Sequence, residues 1–208
     1  MLIAGVDDAG RGPVIGPLVI AGVAFQEDQI PTLRDLGVKD SKDLTRNRRS
    51  ILNREIRKLA IGLEVLELSP FEVDQIVFAG LRLHRLNWLE AVSMAEVIRR
   101  LRPETAFVDA SDVNETRFGR QIKEALPFEV RVISEHHADS NYVVVGAASI
   151  VAKVHRDETT ALLRQKYGDF GSGYPSDPKT RQFLKNCAEE GKFPDCVRKS
   201  WKTVKRLM

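Results

Sequence analysis

Two adjacent acids, Asp7 and Asp8, stand at the end of a short apolar run and close to a glycine-rich loop. The loop spans Ala9–Pro17, and its arginine, Arg11, lies between two glycines. Neighbouring carboxylates raise each other's pKa, and a divalent cation removes that cost, because Mg²⁺ and Mn²⁺ prefer hard oxygen ligands. The backbone N–H groups of such a loop can approach a phosphate or a sugar closely. The combination indicates metal-assisted chemistry on a phosphodiester.

Two further acids fit the same kind of site, since a two-metal phosphoryl-transfer centre needs about four carboxylates around cations roughly 4 Å apart. Asp109 follows the apolar run Thr105–Val108, and Asp139 stands at the start of a long helical pattern. Ligands collect at the carboxyl ends of strands, which is where Asp7, Asp8 and Asp109 are expected. Each acid also has a purely structural interpretation, because aspartate often forms turns and Asp139 suits a helix N-cap.

The elements that must position these acids follow from the pattern of apolar residues. The predicted strands are Leu2–Val6, Leu18–Phe25, Leu63–Leu68, Thr105–Val108 and Phe128–Ser134. The predicted helices are Thr45–Ala60, one that begins at the capping box Ser69–Glu72, Asn87–Leu101, Asn114–Leu126, Ser140–Tyr167 and Lys179–Glu190. Two early strands followed by strand–helix alternation predict an α/β fold with a mixed central sheet flanked by helices.

Composition bounds the class of protein. The chain has 208 residues, of which 43% are hydrophobic and 29% charged, as in an ordinary globular protein. We expect one main catalytic domain over residues 1–168 and a C-terminal, helical and basic substrate-binding segment over residues 169–208. No apolar stretch has membrane-spanning length and no signal peptide is recognisable, so a cytoplasmic protein without membrane contact is expected. Cys187 and Cys196 are interpreted as reduced thiols.

The net charge of +3 does not by itself indicate nucleic acid, but its distribution is uneven. Residues 192–208, called the basic segment below, carry six basic side chains and the single acid Asp195. Two interpretations stay open for this segment: a solvated terminal helix, or an arm that contacts phosphates. Trp201 is expected to anchor it. The neighbours His136 and His137 are interpreted as surface or supporting residues rather than ligands of one metal.

These motifs, taken in order, resemble type 2 ribonucleases H, and in particular archaeal ribonuclease HII. Gly5–Val14 matches the opening signature of that family, which normally reads Asp-Glu-Ala-Gly-Arg-Gly. Further matches follow in the family's order along nearly the whole chain: Asp40–Thr45, Val108–Ala110, His137–Asp139, Ala147–Lys153, Gly171–Pro178 and Arg198–Thr203. So many ordered matches make the resemblance specific.

The resemblance implies a ribonuclease H-like fold with a C-terminal helical segment. It implies endonucleolytic hydrolysis of RNA in RNA–DNA hybrids, and cleavage 5′ to single ribonucleotides embedded in duplex DNA. The products would carry a 3′-hydroxyl and a 5′-phosphate, and a two-metal site would use Mg²⁺ or Mn²⁺. Such an activity belongs to DNA replication and to ribonucleotide repair, and we expect a monomer.

The resemblance also implies roles for individual residues, carried over motif by motif. The four metal-binding catalytic positions are matched by Asp7, Asp8, Asp109 and Asp139. The loop that contacts the ribonucleotide 2′-hydroxyl, and so tells RNA from DNA, is matched by Gly10, Arg11 and Gly12. Tyr174 matches the tyrosine that stacks on the adjoining deoxyribose. Ser41 and Lys42 match a motif near the substrate backbone and are expected to contact phosphates.

One residue departs from the family's pattern. Asp8 stands where the family usually has glutamate, so this carboxylate is one methylene shorter. A ligand shift of about 1 Å can lower a rate on the order of 10²-fold, and Mg²⁺ tolerates distorted geometry poorly. This change leaves open a hybrid-binding protein with impaired catalysis as one alternative to the expected enzyme. A second alternative does not depend on Asp8: it is a different nuclease or strand-transfer enzyme of the ribonuclease H superfamily, which uses a similar acidic cluster.

Overall fold

The computed structural model describes residues 1–38, 44–79 and 85–208. Its strands are β1 (Leu2–Ala9), β2 (Leu18–Gln26), β3 (Gly62–Leu68), β4 (Thr105–Asp109) and β5 (Arg131–Glu135). Its helices are α1 (Ile30–Asp35), α2 (Arg46–Leu59), α3 (Pro70–Phe78), α4 (Arg85–Leu101), α5 (Glu115–Glu124), α6 (Ala138–Asn141), α7 (Val143–Tyr167), α8 (Pro178–Glu189) and α9 (Lys202–Lys205). Within these ranges, no helix is both long and apolar enough to cross a membrane.

The strands form one mixed sheet in the order β3-β2-β1-β4-β5. The central strand, β1, is antiparallel to β2 and parallel to β4, with Val6 opposite Val108. β4 is in turn parallel to β5, with Asp109 opposite Glu135. This sheet and the helices around it confirm the predicted α/β fold with a mixed central sheet.

The chain folds into two compact units. The first comprises Met1–Ala9, Val19–Leu66 and Asn87–Val154, and the second comprises Gly10–Leu18, Glu67–Leu86 and His155–Met208. In the first, side chains of β2 such as Phe25 share a core with Ile56 of α2 and Ile150 of α7. In the second, Ile15 and Phe170 lie in another core. A compact unit is not by itself an independent domain, so the boundary predicted after residue 168 stays a prediction.

β1 is longer than its apolar run predicts, because it continues through both acids to Ala9. The antiparallel ladder to β2 accounts for the extension, since Asp7 pairs with Ala21 and Asp8 with Ile20. Backbone pairing with a buried neighbouring strand outweighs the poor strand propensity of aspartate. Consecutive side chains of a strand leave opposite faces, so the two acids diverge at their Cβ atoms.

The long helix predicted over Ser140–Tyr167 is divided in two at Tyr142. This residue adopts an extended backbone conformation with φ −121° and ψ 114°, between α6 and α7. Its ring packs on Phe107 of β4, with the ring centroids 4.5 Å apart, and its hydroxyl donates to Glu135 Oε1 at 2.8 Å. These contacts with the sheet replace the continuation of the helix.

β5 begins three residues later than predicted from Phe128–Ser134, because it extends only where β4 offers a partner, from Thr105 opposite Arg131 onward. Both cysteines are buried free thiols, which confirms the prediction. Burial is the largest effect on Cys196 and raises the pKa of its thiol to about 12, so the reactive thiolate is disfavoured.

Candidate active site

The register of three neighbouring strands places a row of acids along the carboxyl edge of the sheet. Because Val6 lies opposite Val108, Asp7 and Asp109 come next on their parallel strands, and their side chains leave the same face. Asp109 is also opposite Glu135. This row, called the acidic edge below, contains Asp7, Asp109 and Glu135, and Glu135 was not among the acids predicted from the sequence.

Asp7 is buried among like charges. Burial raises the pKa of its carboxyl well above the usual value, and the charges of Asp8 and Asp109 raise it further. Two hydrogen bonds act in the opposite direction: one from the side chain of Ser149, and one from the Asp8 N–H to Asp7 Oδ1 at 2.7 Å. Burial and repulsion outweigh these bonds, so a nearby positive charge would favour the ionised form.

Close packing of α7 on β1 brings Ser149 to Asp7. A Cβ atom at Gly5 would lie 2.1 Å from the backbone carbonyl of Val144, so only glycine allows this approach. Ser149 follows on the same helix and is fully buried. No role was predicted for Ser149, although the run of small residues Gly146–Ser149 on α7 was a signal of close helix packing.

The short helix α6 supports Asp109 and carries Asp139. The Ala138 N–H donates to Asp109 Oδ1 at 2.7 Å, after a sharp reversal at His137, whose φ is 57°. Asp139 comes next in the chain, is buried, and lies inside the first turn of α6 rather than at its N-cap, which is His137. The N-cap interpretation of Asp139 is therefore wrong. His136 and His137 are exposed, as expected.

Asp8 has a different environment from Asp7. Its side chain leaves the other face of β1 and is half-buried. Asp8 Oδ1 accepts a hydrogen bond from Ser111 Oγ at 3.1 Å, and Ser111 lies two residues beyond the end of β4. The structure therefore brings Asp8 to the same end of β4 as Asp109, close enough for its charge to act on Asp7.

The chemistry of these donors fits a hard divalent cation. Within the described ranges, no three His, Cys, Asp or Glu side chains form a ready-made metal cage. The fit rests instead on the environment of Asp7, whose burial and acidic neighbours raise its pKa. A cation that carboxylate oxygens prefer, such as Mg²⁺ or Mn²⁺, would offset both effects.

The second unit contains the stretch Gly10–Gly16, called the glycine loop below. Gly10 has a φ of 92°, and a Cβ atom there would lie 2.6 Å from the carbonyl oxygen of Pro17. The guanidinium of Arg198 donates to the carbonyls of Gly10, Arg11 and Gly16. Arg198 is fully buried, so neither interpretation of the basic segment, a solvated helix or an arm that contacts phosphates, holds for this residue.

Tyr174 lies against the glycine loop. Its side chain is 43% exposed, and a Cβ atom at Gly12 would lie 3.4 Å from its ring. The guanidinium of Arg156, on α7, lies 5.6 Å from the ring centroid, within cation–π range. Arg156 is buried, and its Nε and Nη2 make no hydrogen bond to any described residue. Arg156 was not among the predicted residues, because no local sequence signal distinguishes it from an arginine on the surface of a helix.

The structure bears on some of the remaining predicted contact residues, and others lie outside the residues that it describes. Trp201 Nε1 donates to the Gly12 carbonyl at 3.2 Å, which confirms Trp201 as an anchor. The basic segment also presents exposed side chains, namely Lys192, Lys202, Lys205 and Arg206. Ser41 and Lys42, the expected phosphate contacts, lie outside the described residues.

Comparison with known proteins gives one consistent result. The family model described as Ribonuclease HII matches residues 4–204. The ribonuclease HII of Thermococcus onnurineus is 47% identical over 100% of this chain and 90% of its own length. The crystal structure of the ribonuclease H2 from Pyrococcus horikoshii has a TM-score of 0.91 and 45% identity, over 100% of this chain and 97% of that one. The ribonuclease HII in a complex with PCNA from Archaeoglobus fulgidus has a TM-score of 0.88 and 48% identity, over 99% of this chain and 96% of that one. These likenesses confirm the ribonuclease H-like fold.

Proposed function

This chain belongs to the ribonuclease HII family, and from that premise we propose that it cleaves the RNA strand of RNA–DNA hybrids and cuts duplex DNA 5′ to single ribonucleotides. Both reactions are endonucleolytic hydrolyses that leave a 3′-hydroxyl and a 5′-phosphate. As a type 2 ribonuclease H, the protein is a metal-dependent hydrolase. The observation that carries the proposal is the acidic edge, where burial and the charges of Asp8 and Asp109 raise the pKa of Asp7.

The proposed ligands of two Mg²⁺ or Mn²⁺ ions are Asp7, Asp8, Asp109 and Asp139. Bound ions of this kind supply a nucleophilic water at neutral pH and stabilise charge on the leaving 3′-oxygen. Three of these acids are oriented by donors from other elements, namely Ser149 for Asp7, Ser111 for Asp8 and the Ala138 N–H for Asp109. Carboxylates held in this way lose little freedom when substrate binds, which favours a precise reaction geometry.

The glycine loop and Tyr174 are the proposed reader of the RNA–DNA junction. The 2′-hydroxyl is the group by which a protein distinguishes ribose from deoxyribose, and backbone N–H groups of Arg11 and Gly12 are suited to contact it. Tyr174 presents a half-exposed ring on which the adjoining deoxyribose would stack. Arg156 lies over that ring and would hold it in place.

The exposed lysine and arginine side chains of the basic segment are proposed to contact phosphates of the nucleic-acid backbone. Lys202, Lys205 and Arg206 add positive charge without the burial that removes Arg198 from such a role. Phosphate contacts of this type contribute affinity irrespective of base sequence. Ser41 and Lys42 would add to them. We expect the protein to act as a monomer in the cytoplasm.

Product mapping tests this proposal. The substrates are an RNA–DNA hybrid, a DNA duplex with one internal ribonucleotide, and the same duplex entirely of DNA, each incubated with Mg²⁺ or with Mn²⁺. We expect cleavage of the hybrid, a single cut 5′ to the ribonucleotide, and no cleavage of the all-DNA duplex. Asp109→Asn serves as the control without activity.

Two results would favour the alternatives. Cleavage of the all-DNA duplex would indicate another nuclease of the superfamily. A shift of the ribonucleotide-containing duplex in an electrophoretic binding assay, with no cut at saturating Mn²⁺, would indicate a binding protein with impaired catalysis.

A further inference from the structure

Arg198 holds the glycine loop from inside the second unit. It has the largest fully buried side chain among the described residues. Its donors reach the carbonyl of Gly10 at 2.6 Å, of Arg11 at 3.1 Å and of Gly16 at 2.9 Å. The five N–H donors of a guanidinium lie in one rigid plane, so these three carbonyls are held in one fixed arrangement.

This arrangement decides which way the loop amides point. Every described peptide bond is trans, and in a trans peptide the N–H points away from the carbonyl of the preceding residue. Because the carbonyls of Gly10 and Arg11 both face Arg198, the N–H groups of Arg11 and Gly12 both face the other way. Successive N–H groups on one side form a nest, an arrangement suited to binding oxygen atoms.

Three amides of the loop, those of Val14, Ile15 and Gly16, donate inside the second unit. The N–H groups of Val14 and Ile15 both donate to the Gly173 carbonyl, at 2.8 and 3.3 Å, and that of Gly16 donates to the Cys196 carbonyl at 2.8 Å. Pro13 has no N–H. Arg198 therefore lies on the inner side of the loop, where these hydrogen bonds hold it, and the amides of Arg11 and Gly12 point to the outer side.

Trp201 and Asp74 fix Arg198 in turn. The Trp201 ring lies 4.8 Å from the guanidinium carbon of Arg198, and its Nε1 donates to the Gly12 carbonyl. Asp74 on α3 is buried and accepts hydrogen bonds from the N–H groups of Lys199 and Ser200, at 2.7 and 2.9 Å. The turn that carries Arg198 and Trp201 is thus tied to a helix of the same unit, so it has little freedom to follow a displaced loop.

We propose that Arg198, supported by Trp201, is a positioning residue that sets the discrimination between ribose and deoxyribose. It aims the Arg11 and Gly12 amides at the 2′-hydroxyl without touching the substrate. This inference rests on the proposed function of the glycine loop. It also gives part of the basic segment a purpose other than phosphate binding.

The test compares Arg198→Lys, Arg198→Met and Trp201→Phe with the native chain, and Lys202→Met is the matched control from the same segment. Dissociation constants are measured in Mg²⁺ by fluorescence anisotropy, in an Asp109→Asn background. The probes are a DNA duplex with one ribonucleotide and the all-DNA duplex of the same sequence. The selectivity is the ratio of the two constants, all-DNA over ribonucleotide-containing, and thermal unfolding shows which variants fold.

We expect Arg198→Lys to lower this ratio by about tenfold, since a lysine ammonium lacks the planar fork and cannot hold three carbonyls together. Arg198→Met should lower it at least as much, and Trp201→Phe by about threefold, since one hydrogen bond to Gly12 is lost. Lys202→Met should weaken the binding of both duplexes equally, as loss of a phosphate contact does.

A folded Arg198→Lys protein with the native ratio would overturn the inference. If neither Arg198 variant folds, Trp201→Phe decides: a native ratio overturns the inference and a reduced one supports it. A loss of selectivity in Lys202→Met as large as in Arg198→Lys would also overturn it, because charge alone would then be responsible. If the native chain itself binds both duplexes equally, the proposed recognition of ribose fails before any variant is considered.

Discussion

The acidic edge of the first unit and the glycine loop of the second are stabilised in opposite ways. Asp7 is buried, and its burial, followed by the charges of Asp8 and Asp109, raises the pKa of its carboxyl. In the glycine loop, by contrast, backbone carbonyls accept hydrogen bonds from Arg198, and Gly10 allows the positive φ at that position. The acidic edge keeps like charges together, whereas the glycine loop pairs a positive guanidinium with the negative ends of carbonyl groups.

The difference reflects what each region is proposed to bind. A site for cations must accumulate negative charge, so it lowers the stability of the protein until its ligand arrives. A hydroxyl group carries no net charge, so a site that recognises it cannot attract it by charge. Such a site therefore depends on hydrogen-bond donors that are already in position. Substitutions in the two regions should consequently have opposite effects on stability, while both reduce activity.

The largest effect is expected from Asp7→Asn, which removes a buried charge at nearly constant volume. Cleavage should fall by roughly 10³-fold or more, as when one member of a catalytic unit is lost. The melting temperature in EDTA should rise, because the repulsion with Asp8 and Asp109 disappears. Calorimetry with and without Mg²⁺ or Mn²⁺ should also show a smaller metal-dependent stabilisation than in the native chain.

Asp112→Asn is the matched control for that substitution. Asp112 is also buried, but it is paired with Arg117 and accepts a hydrogen bond from the Asn114 N–H at 3.0 Å. Its replacement should destabilise the protein by about 1–3 kcal/mol, the cost of leaving buried partners unsatisfied. A fall in melting temperature for both variants in EDTA would show that repulsion at Asp7 is not significant.

Gly10→Ala should disrupt the conformation of the glycine loop. The added Cβ would lie 2.6 Å from the Pro17 carbonyl oxygen and 2.7 Å from the Arg156 side chain, and the φ of 92° would be strained. Gly168→Ala is the matched control, because it introduces backbone strain without a steric clash. Its φ is 86°, and nothing lies within 4 Å of its Cβ position.

Left-handed strain alone costs about 1–2 kcal/mol, so Gly168→Ala should lose that much stability and keep its activity. Gly10→Ala should lose more stability, and its kcat/KM on a ribonucleotide-containing duplex should fall on the order of 10²-fold. Equal kinetics for the two variants, measured at a temperature at which both are folded, would contradict the role of the loop.

Asp8→Glu restores the residue that the family normally has. The longer carboxylate should match the native turnover in Mn²⁺ and improve it in Mg²⁺ by up to about tenfold, because Mg²⁺ requires stricter geometry. The measurement is kcat for a duplex with one ribonucleotide under each metal. Asp8→Asn is the control for loss of charge, and a slower Asp8→Glu enzyme would show that the rest of this site has adjusted to aspartate.

The smallest expected effect is a pH dependence of stability that arises from Asp177, three residues after Tyr174. Asp177 caps α8 through the Lys179 N–H and also accepts a hydrogen bond from the Ser172 N–H at 2.6 Å. Hydrogen bonds from Ser172 lower the pKa of Asp177 to about 2. Its contribution to stability is therefore present above the unfolded-state pKa of about 3.9 and is lost as the pH falls towards 2.

The difference in melting temperature between the native chain and Asp177→Asn should accordingly be constant above about pH 5 and shrink below pH 4. A difference that does not change over this range would mean that the ionised form of Asp177 is not what holds the turn.

Local sequence was sufficient for most elements. The capping box at Ser69 begins α3 with Ser69 and Glu72 bonded to each other's backbone, and Asp177 caps α8. Such signals work because donor and acceptor are only a few residues apart. The strands that lead to Asp7 and Asp109 were predictable from their apolar runs, although the end of β1 was not.

The motifs were sufficient to choose candidate acids but not to describe their surroundings. Ser149 contacts Asp7 only because Gly5 admits α7 to β1, and Glu135 joins the acidic edge only because β5 pairs with β4. Neither neighbour follows from a short stretch of sequence, since helix packing and strand register are decided by distant partners.

The sequence by itself determined the family, the order of the secondary structure, and which acids and glycines are available for chemistry. Only the tertiary structure decided that β1 runs through Asp7 and Asp8, that the long helix is divided at Tyr142, and that Arg198 faces inward. The physical reason is the separation of the partners: Arg198 donates to Gly10 across 188 residues of chain. Whether such a guanidinium reaches solvent or a buried carbonyl depends on the packing of the whole unit, which no local pattern contains.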